Sequence, residues 1–276
     1  MVTQQNLSAM LDEKYTAVLA EVENSLNPDY LDLDYFNKNN ALLAKGIEIK
    51  KGGIKFPPVF LKDFETVDDL ISHFHRLVEM KNWEVAAPRL RLAVVNGPVN
   101  SGRRPQPVFE EVLDLAAVIY LAMPGGIPQQ VGDLADEWGK TPEELYEVAY
   151  SNTFGKTPMV VGLDHLARIL AKRKGVKLPP DLPAAAPVKV LSTFDGTAAV
   201  LLNTRLLGNL ADEWGDDLFI LPSSVAEVLA MPVGIADLEY LYRMVYEVNH
   251  TVLEPGEFLS NSVYRFSRET RELSIA

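Results

Sequence analysis

The sequence predicts an α+β protein of two compact units, each built from short antiparallel strands or hairpins packed by amphipathic helices. Three observations carry this expectation. Apolar residues recur every three or four positions in some stretches, but alternate or run unbroken for a few residues in others. Glycine pairs fall between stretches of the second kind, where a hairpin turn demands positive φ. Four prolines crowd into residues 178–187, which forbids both helix interior and central strand. Residues 179–187 are therefore expected to be a linker between an N-terminal unit, 1–178, and a C-terminal unit, 188–276.

Each element has a local reason. Residues 8–26 place Leu11, Tyr15, Val18, Leu19 and Val22 on one helical face. Strands over 41–49 and 54–61 flank Lys50-Lys51-Gly52-Gly53, a hairpin turn. Thr66-Val67-Asp68-Asp69 resembles a capping box and opens a helix through Met80. Residues 96–107, with three prolines and two glycines, are expected as an irregular loop. The apolar run 115–123 fits a buried helix or a strand, and Pro124-Gly125-Gly126 before 127–131 favours a two-stranded hairpin. Thr141-Pro142-Glu143-Glu144 starts a helix through Ser151, with Thr as cap, Pro at the first position and Glu144 reaching back. Lys172, Arg173 and Lys174 before Gly175 read as a helix C-terminus.

In the second unit, strands over 188–192 and 197–202 are expected to flank the Asp195-Gly196 turn, followed by a helix over 206–214. Residues 219–221 read as a buried strand, 235–249 as an amphipathic helix, and 262–266 with 272–275 as a closing hairpin. The octet Gly132-Asp-Leu-Ala-Asp-Glu-Trp-Gly139 recurs almost unchanged as Gly208-Asn-Leu-Ala-Asp-Glu-Trp-Gly215. Its flanks do not match, so it reads as two helix ends with packed Trp and capping Gly rather than a duplicated domain.

Composition narrows function by exclusion. Zero cysteines remove disulfides, thiolate metal sites and cysteine nucleophiles, and fit a reducing compartment. No apolar run approaches the roughly 20 residues of a membrane span, and no signal or lipid-anchor pattern opens the sequence, so a cytoplasmic location is expected. The net charge of −12 opposes nucleic-acid binding, which needs cations against phosphate.

Motif by motif, the chemistry is thin. Gly155-Lys156-Thr157 lacks the upstream glycine of a phosphate loop, where Tyr150 stands. His73 and His75 point to opposite sides of a helix and share no metal, so no metal or cofactor is expected. Ser223 and Ser224 follow a buried strand, as a hydrolase nucleophile does, but without Gly-x-Ser-x-Gly; satisfaction of turn amides explains them better.

The segment 219–228, with Ile220-Leu-Pro-Ser-Ser224, resembles an uncharacterised family of bacterial and phage proteins, a domain of unknown function. Leu113-Asp-Leu-Ala-Ala-Val118, Trp138-Gly-Lys-Thr-Pro-Glu-Glu-Leu145 with Ala149 and Asn152, Val248-Asn249, Leu259-Ser260 and Val263-Tyr264-Arg265 fall in that family's order. The resemblance implies membership and no activity. Its members usually carry a His between the serines and the Glu, and in this chain Ala226 stands there, which removes the natural base near neutral pH.

Two functional expectations follow. The first is a non-catalytic, cytosolic protein-interaction protein with an acidic surface, tied to phage or mobile elements and binding a basic protein. The alternative is a small-molecule hydrolase using Ser223 or Ser224 with Glu227 and Asn249.

Overall fold

The computed structural model describes residues 4–101, 108–162 and 187–276. Its strands pair antiparallel in three sheets, interspersed with helices, so the protein is α+β. Two compact units emerge, and they interleave along the chain. Unit 1 comprises residues 1–91, 103–107 and 119–149; unit 2 comprises 92–102, 108–118 and 150–276. The linker expected at 179–187 lies outside the described residues except for Pro187, as does the basic helix end expected near Gly175.

Unit 1 begins with α1 (Gln4–Leu26), β1 (Tyr30–Asn37), β2 (Leu43–Lys51) and β3 (Ile54–Phe60), the strands ordered β1-β2-β3. Gly52 and Gly53 take φ of 60° and 84° in the β2–β3 turn, the left-handed conformation that made this hairpin legible. Ile47 and Ile49 alternate onto one face of β2 and are fully buried with Phe56, Val59 and Val22. α2 (Val67–Glu79) adds Leu70, Phe74 and Leu77 to this core. Its cap is reciprocal: Thr66 Oγ1 accepts from the Asp69 amide at 3.1 Å and donates to the Asp69 carboxylate at 2.6 Å. α3 (Trp83–Ala86) follows and leads to β4 (Leu90–Asn96), within which unit 1 gives way to unit 2.

Residues 96–107 are not wholly irregular. Gly97–Asn100 forms a helical turn, α4, because Asn96 caps it through Oδ1 and Pro98 fits its first positions. β5 (Val108–Val112) and β6 (Leu115–Ala122) are paired, and β7 (Pro128–Gln130) returns on β6, so the ambiguous run 115–123 is a strand. α5 (Leu134–Glu137) ends the first copy of the recurring octet. α6 (Pro142–Phe154) opens on a true capping box, with Thr141 N–H donating to Glu144 Oε2 at 2.8 Å and Glu144 N–H to Thr141 Oγ1 at 3.2 Å.

Unit 2 is organised by a six-stranded sheet ordered β13-β12-β10-β11-β9-β8. Its strands are β8 (Met159–Gly162), β9 (Lys189–Ser192), β10 (Leu218–Pro222), β11 (Val228–Pro232), β12 (Tyr264–Phe266) and β13 (Leu273–Ile275). β10 is buried along its whole length. Phe219 and Leu221 join Met231, Val188 and Val263 in a cluster with Leu241 and Val245 of α8 (Leu238–Thr251), which Asp237 caps. α7 (Thr204–Trp214) is capped by Asn203 and stopped by Gly215 at φ 71°. Gly139, ending the other octet, takes φ 59°, and Trp138 is buried with Nε1 donating to Met80 O. Both octets are helix ends, as their composition implied.

One sequence expectation fails outright. Residues 197–202 do not form a strand; Ala198–Leu202 is a 3₁₀ helix. The turn at Asp195-Gly196 exists, but Ala198, Ala199, Val200 and Leu201 are buried consecutively, which a half-exposed hairpin strand does not permit. β1, β4, β5, β8 and β11 went unassigned from sequence.

Candidate functional site

The residues singled out for chemistry sit at the tip of the β10–β11 hairpin. Ser223 and Ser224 both donate their amides to the Glu227 carbonyl, at 3.3 and 3.1 Å, and the loop closes on itself. Ser224 Oγ accepts from the Ala226 amide at 3.1 Å, the short-range turn bond that serine hydroxyls favour. Ser223 Oγ stands 3.4 Å from Glu227 Oε1, near the outer limit of a hydrogen bond. The loop backbone is tied on three sides: Val225 N–H to Glu257 O, Ala198 N–H to Val225 O, and Ser192 Oγ to Ala226 O at 2.7 Å.

Asn249 is directed elsewhere. On α8, its Nδ2 donates to Ser260 O and to Asn261 Oδ1, each at 2.8 Å. The structure thus brings Ser223, Ser224 and Glu227 into one turn and gives Asn249 the next segment of chain. Among the described residues no hydrogen bond connects an imidazole to these serines. His250 stacks on Tyr246 with ring centroids 3.9 Å apart, and its Nδ1 meets Tyr246 O.

A second polar cluster of unit 2 was not assigned a role from sequence. The Asp114 carboxylate accepts from Ser260 Oγ at 2.5 Å, Ser262 Oγ at 2.9 Å and Tyr264 Oη at 2.7 Å. Ser260 and Tyr264 are buried, and burial pushes the Tyr264 hydroxyl well above the ordinary phenol range. The three hydroxyls donate to one carboxylate, and the arrangement pins the β5–β6 turn to the approach of β12. Asn96 adds a second pin, Nδ2 to Leu259 O at 2.9 Å. The turn is tight: Leu113 adopts φ 60°, costly for a branched side chain, and a Cβ on Gly97 would come within 3.1 Å of Asp114 O. Asp114, Asn249, Ser260 and Tyr264 all belong to stretches that carry the family resemblance. Their convergence was invisible because the partners of Asp114 lie 146–150 residues away.

Two surface depressions, about 510 and 290 Å³, lie on α7 and the β12–β13 turn and include none of the candidate serines. Their walls are occupied by ion pairs: Asp212 with Arg268 and Arg271, and Asp217 with Arg265. Hydrogen bonds from the Arg271 and Arg268 guanidiniums hold the Asp212 carboxyl below its usual range; at Asp217 the Arg268 amide does so first, then Arg265. Lys156 is similarly engaged with Asp195 at 3.0 Å and lies over the Phe194 ring. His73 is buried against Gln129, whereas exposed His75 meets Ser25. Among the described residues no three His, Asp or Glu side chains converge as a metal ion needs.

Fold and site together define an antiparallel α+β protein whose candidate polar residues are built into turns, caps and inter-segment pins. The chain belongs to a family of unknown function, DUF5688, whose model matches residues 62–268. No curated protein and no solved structure matches it. Among the described residues, no helix is long and apolar enough to cross a membrane.

Proposed function

We propose that this is a non-catalytic protein-interaction protein of the cytoplasm, associated with phage or mobile elements, whose acidic surface engages a basic protein partner. The supporting observation is the commitment of these polar groups to hydrogen bonds within the chain: Ser224 to the Ala226 amide, Asn249 to Ser260 O and the Asn261 side chain, and the Asp114 carboxylate to three hydroxyls. The net charge of −12 supplies the attraction. Immobilised protein exposed to a bacterial lysate should retain a basic partner at low ionic strength and release it as salt is raised. Recovery of no protein at any ionic strength defeats the reading.

The alternative, a small-molecule hydrolase, draws on the Ser223 hydroxyl beside the Glu227 carboxylate. Its test is turnover of activated esters by the wild type and its loss in Ser223→Ala and Ser224→Ala.

A further inference from the structure

We infer that the free edge of β1 is a docking site for an extended, basic segment of a partner protein, which adds to the sheet as a fourth strand. The inference rests on the protein-binding reading above and names where and how that binding occurs. β1 is eight residues long and, among the described residues, pairs with β2 alone. The Lys38 amide donates to Leu42 O at 2.6 Å and continues the β1–β2 register, so even positions of β1 exchange hydrogen bonds with β2 and odd positions turn theirs outward. Of the outward groups, Asp34 Oδ1 takes the Tyr35 amide at 2.7 Å and Gln130 Nε2 reaches Asn37 O at 3.4 Å. Among the described residues, the main chain of Leu31 and Leu33 remains available to a new strand.

The two faces of β1 specify what that strand carries. Leu31 and Leu33 lie on the face of buried Ile47 and Ile49 yet are only half-buried, and Tyr35 and Leu43 on the same face are exposed. Apolar side chains on the incoming strand would extend the core over them. The other face presents Asp32 and Asp34, with Glu48 across from Asp32; Lys55 already neutralises Glu48 at 3.0 Å. Basic side chains fit there. A second copy of this chain fits poorly, because antiparallel β1–β1 pairing sets aspartates opposite aspartates on one face, and like charges across a ladder are destabilising. Edges that avoid pairing carry charges, proline or a bulge; β1 has no proline or bulge, and its two charges, Asp32 and Asp34, oppose an acidic or neutral strand while admitting a basic one.

The probe is a labelled, end-blocked peptide of alternating lysine and valine, seven residues long, with a fully N-methylated version and a glutamate–valine version as comparisons. The wild type should bind the lysine peptide saturably by fluorescence anisotropy and the N-methylated peptide at least about tenfold more weakly, since charge without main-chain donors does not make a strand. Hydrogen exchange at Leu31 and Leu33 should slow on binding. The Asp32→Lys/Asp34→Lys double variant should reverse the preference towards the glutamate peptide. Equal binding of the N-methylated peptide, unchanged exchange at Leu31 and Leu33, or a concentration-dependent dimer of the chain alone protecting those amides would each overturn the assignment. So would capture of the same lysate proteins by the wild type and the double variant, an outcome that leaves the broader binding reading standing.

Discussion

Asp114 shows how one carboxylate can hold distant parts of a chain together. It collects three hydroxyl donors, two of them from buried residues, and hydrogen bonds to a charged acceptor are among the stronger polar contacts. Asp114→Ala is expected to lower stability by about 2–3 kcal/mol in urea unfolding, and Tyr264→Phe by about 1 kcal/mol, because two donors then remain. His73 makes a different contribution. Burial depresses its pKa, despite an opposing hydrogen bond to Gln129. The folded state therefore binds that proton less tightly than the unfolded chain does. The stabilisation is complete above the ordinary value of 6.5 and is lost as pH falls from there towards the depressed value. The urea midpoint should drop between about pH 7.5 and about pH 5.5, and drop less in His73→Leu. Of these two residues, only the divergence of His73 from His75 on their helix was readable from spacing; nothing local announces the fate of Asp114.

Elements with local causes were the legible ones. The Thr141–Glu144 box, the Thr66 cap, the Gly52-Gly53 turn and the octets ending at Gly139 and Gly215 each depend on neighbours within a few positions. Their worth can be measured: Thr141→Ala should cost about 1 kcal/mol, and Gly215→Ala, forced to φ 71°, about 1 kcal/mol, both by thermal or urea unfolding. Elements decided by tertiary context were lost. β1 has a period-two pattern in Tyr30-Leu-Asp-Leu-Asp, but aspartates disguise it as loop; on an edge they are tolerated. Residues 198–202 have strand composition, yet they form a 3₁₀ helix in which Ala198, Ala199, Val200 and Leu201 are all buried. The serine turn was anticipated in kind, since Ser224 does satisfy an amide, but β11 beyond it was not.

At the scale of the molecule, the sequence conveyed the α+β class but not which distant stretches share a sheet. A proline-rich stretch is an obvious place to cut a chain on paper. In the structure β8, before it, and β9, after it, are adjacent strands of one sheet, with Val160 opposite Leu191. β4, β6 and α6 each run through the division between units, so covalent continuity repeatedly links them. Order along the chain and membership of a core are different things here.

The Asp114 pin sets a timetable for synthesis. The aspartate leaves the ribosome 150 residues ahead of Tyr264, a wait of roughly ten seconds at bacterial elongation speeds. Until the final stretch emerges, the Asp114 carboxylate lacks all three of its hydroxyl donors, and the Leu113 turn is held by its own hairpin and the Gly97 amide alone. Nascent chains arrested at residue 255 should be digested readily at the β5–β6 hairpin by a dilute protease, and those arrested with residue 266 outside the exit tunnel should resist.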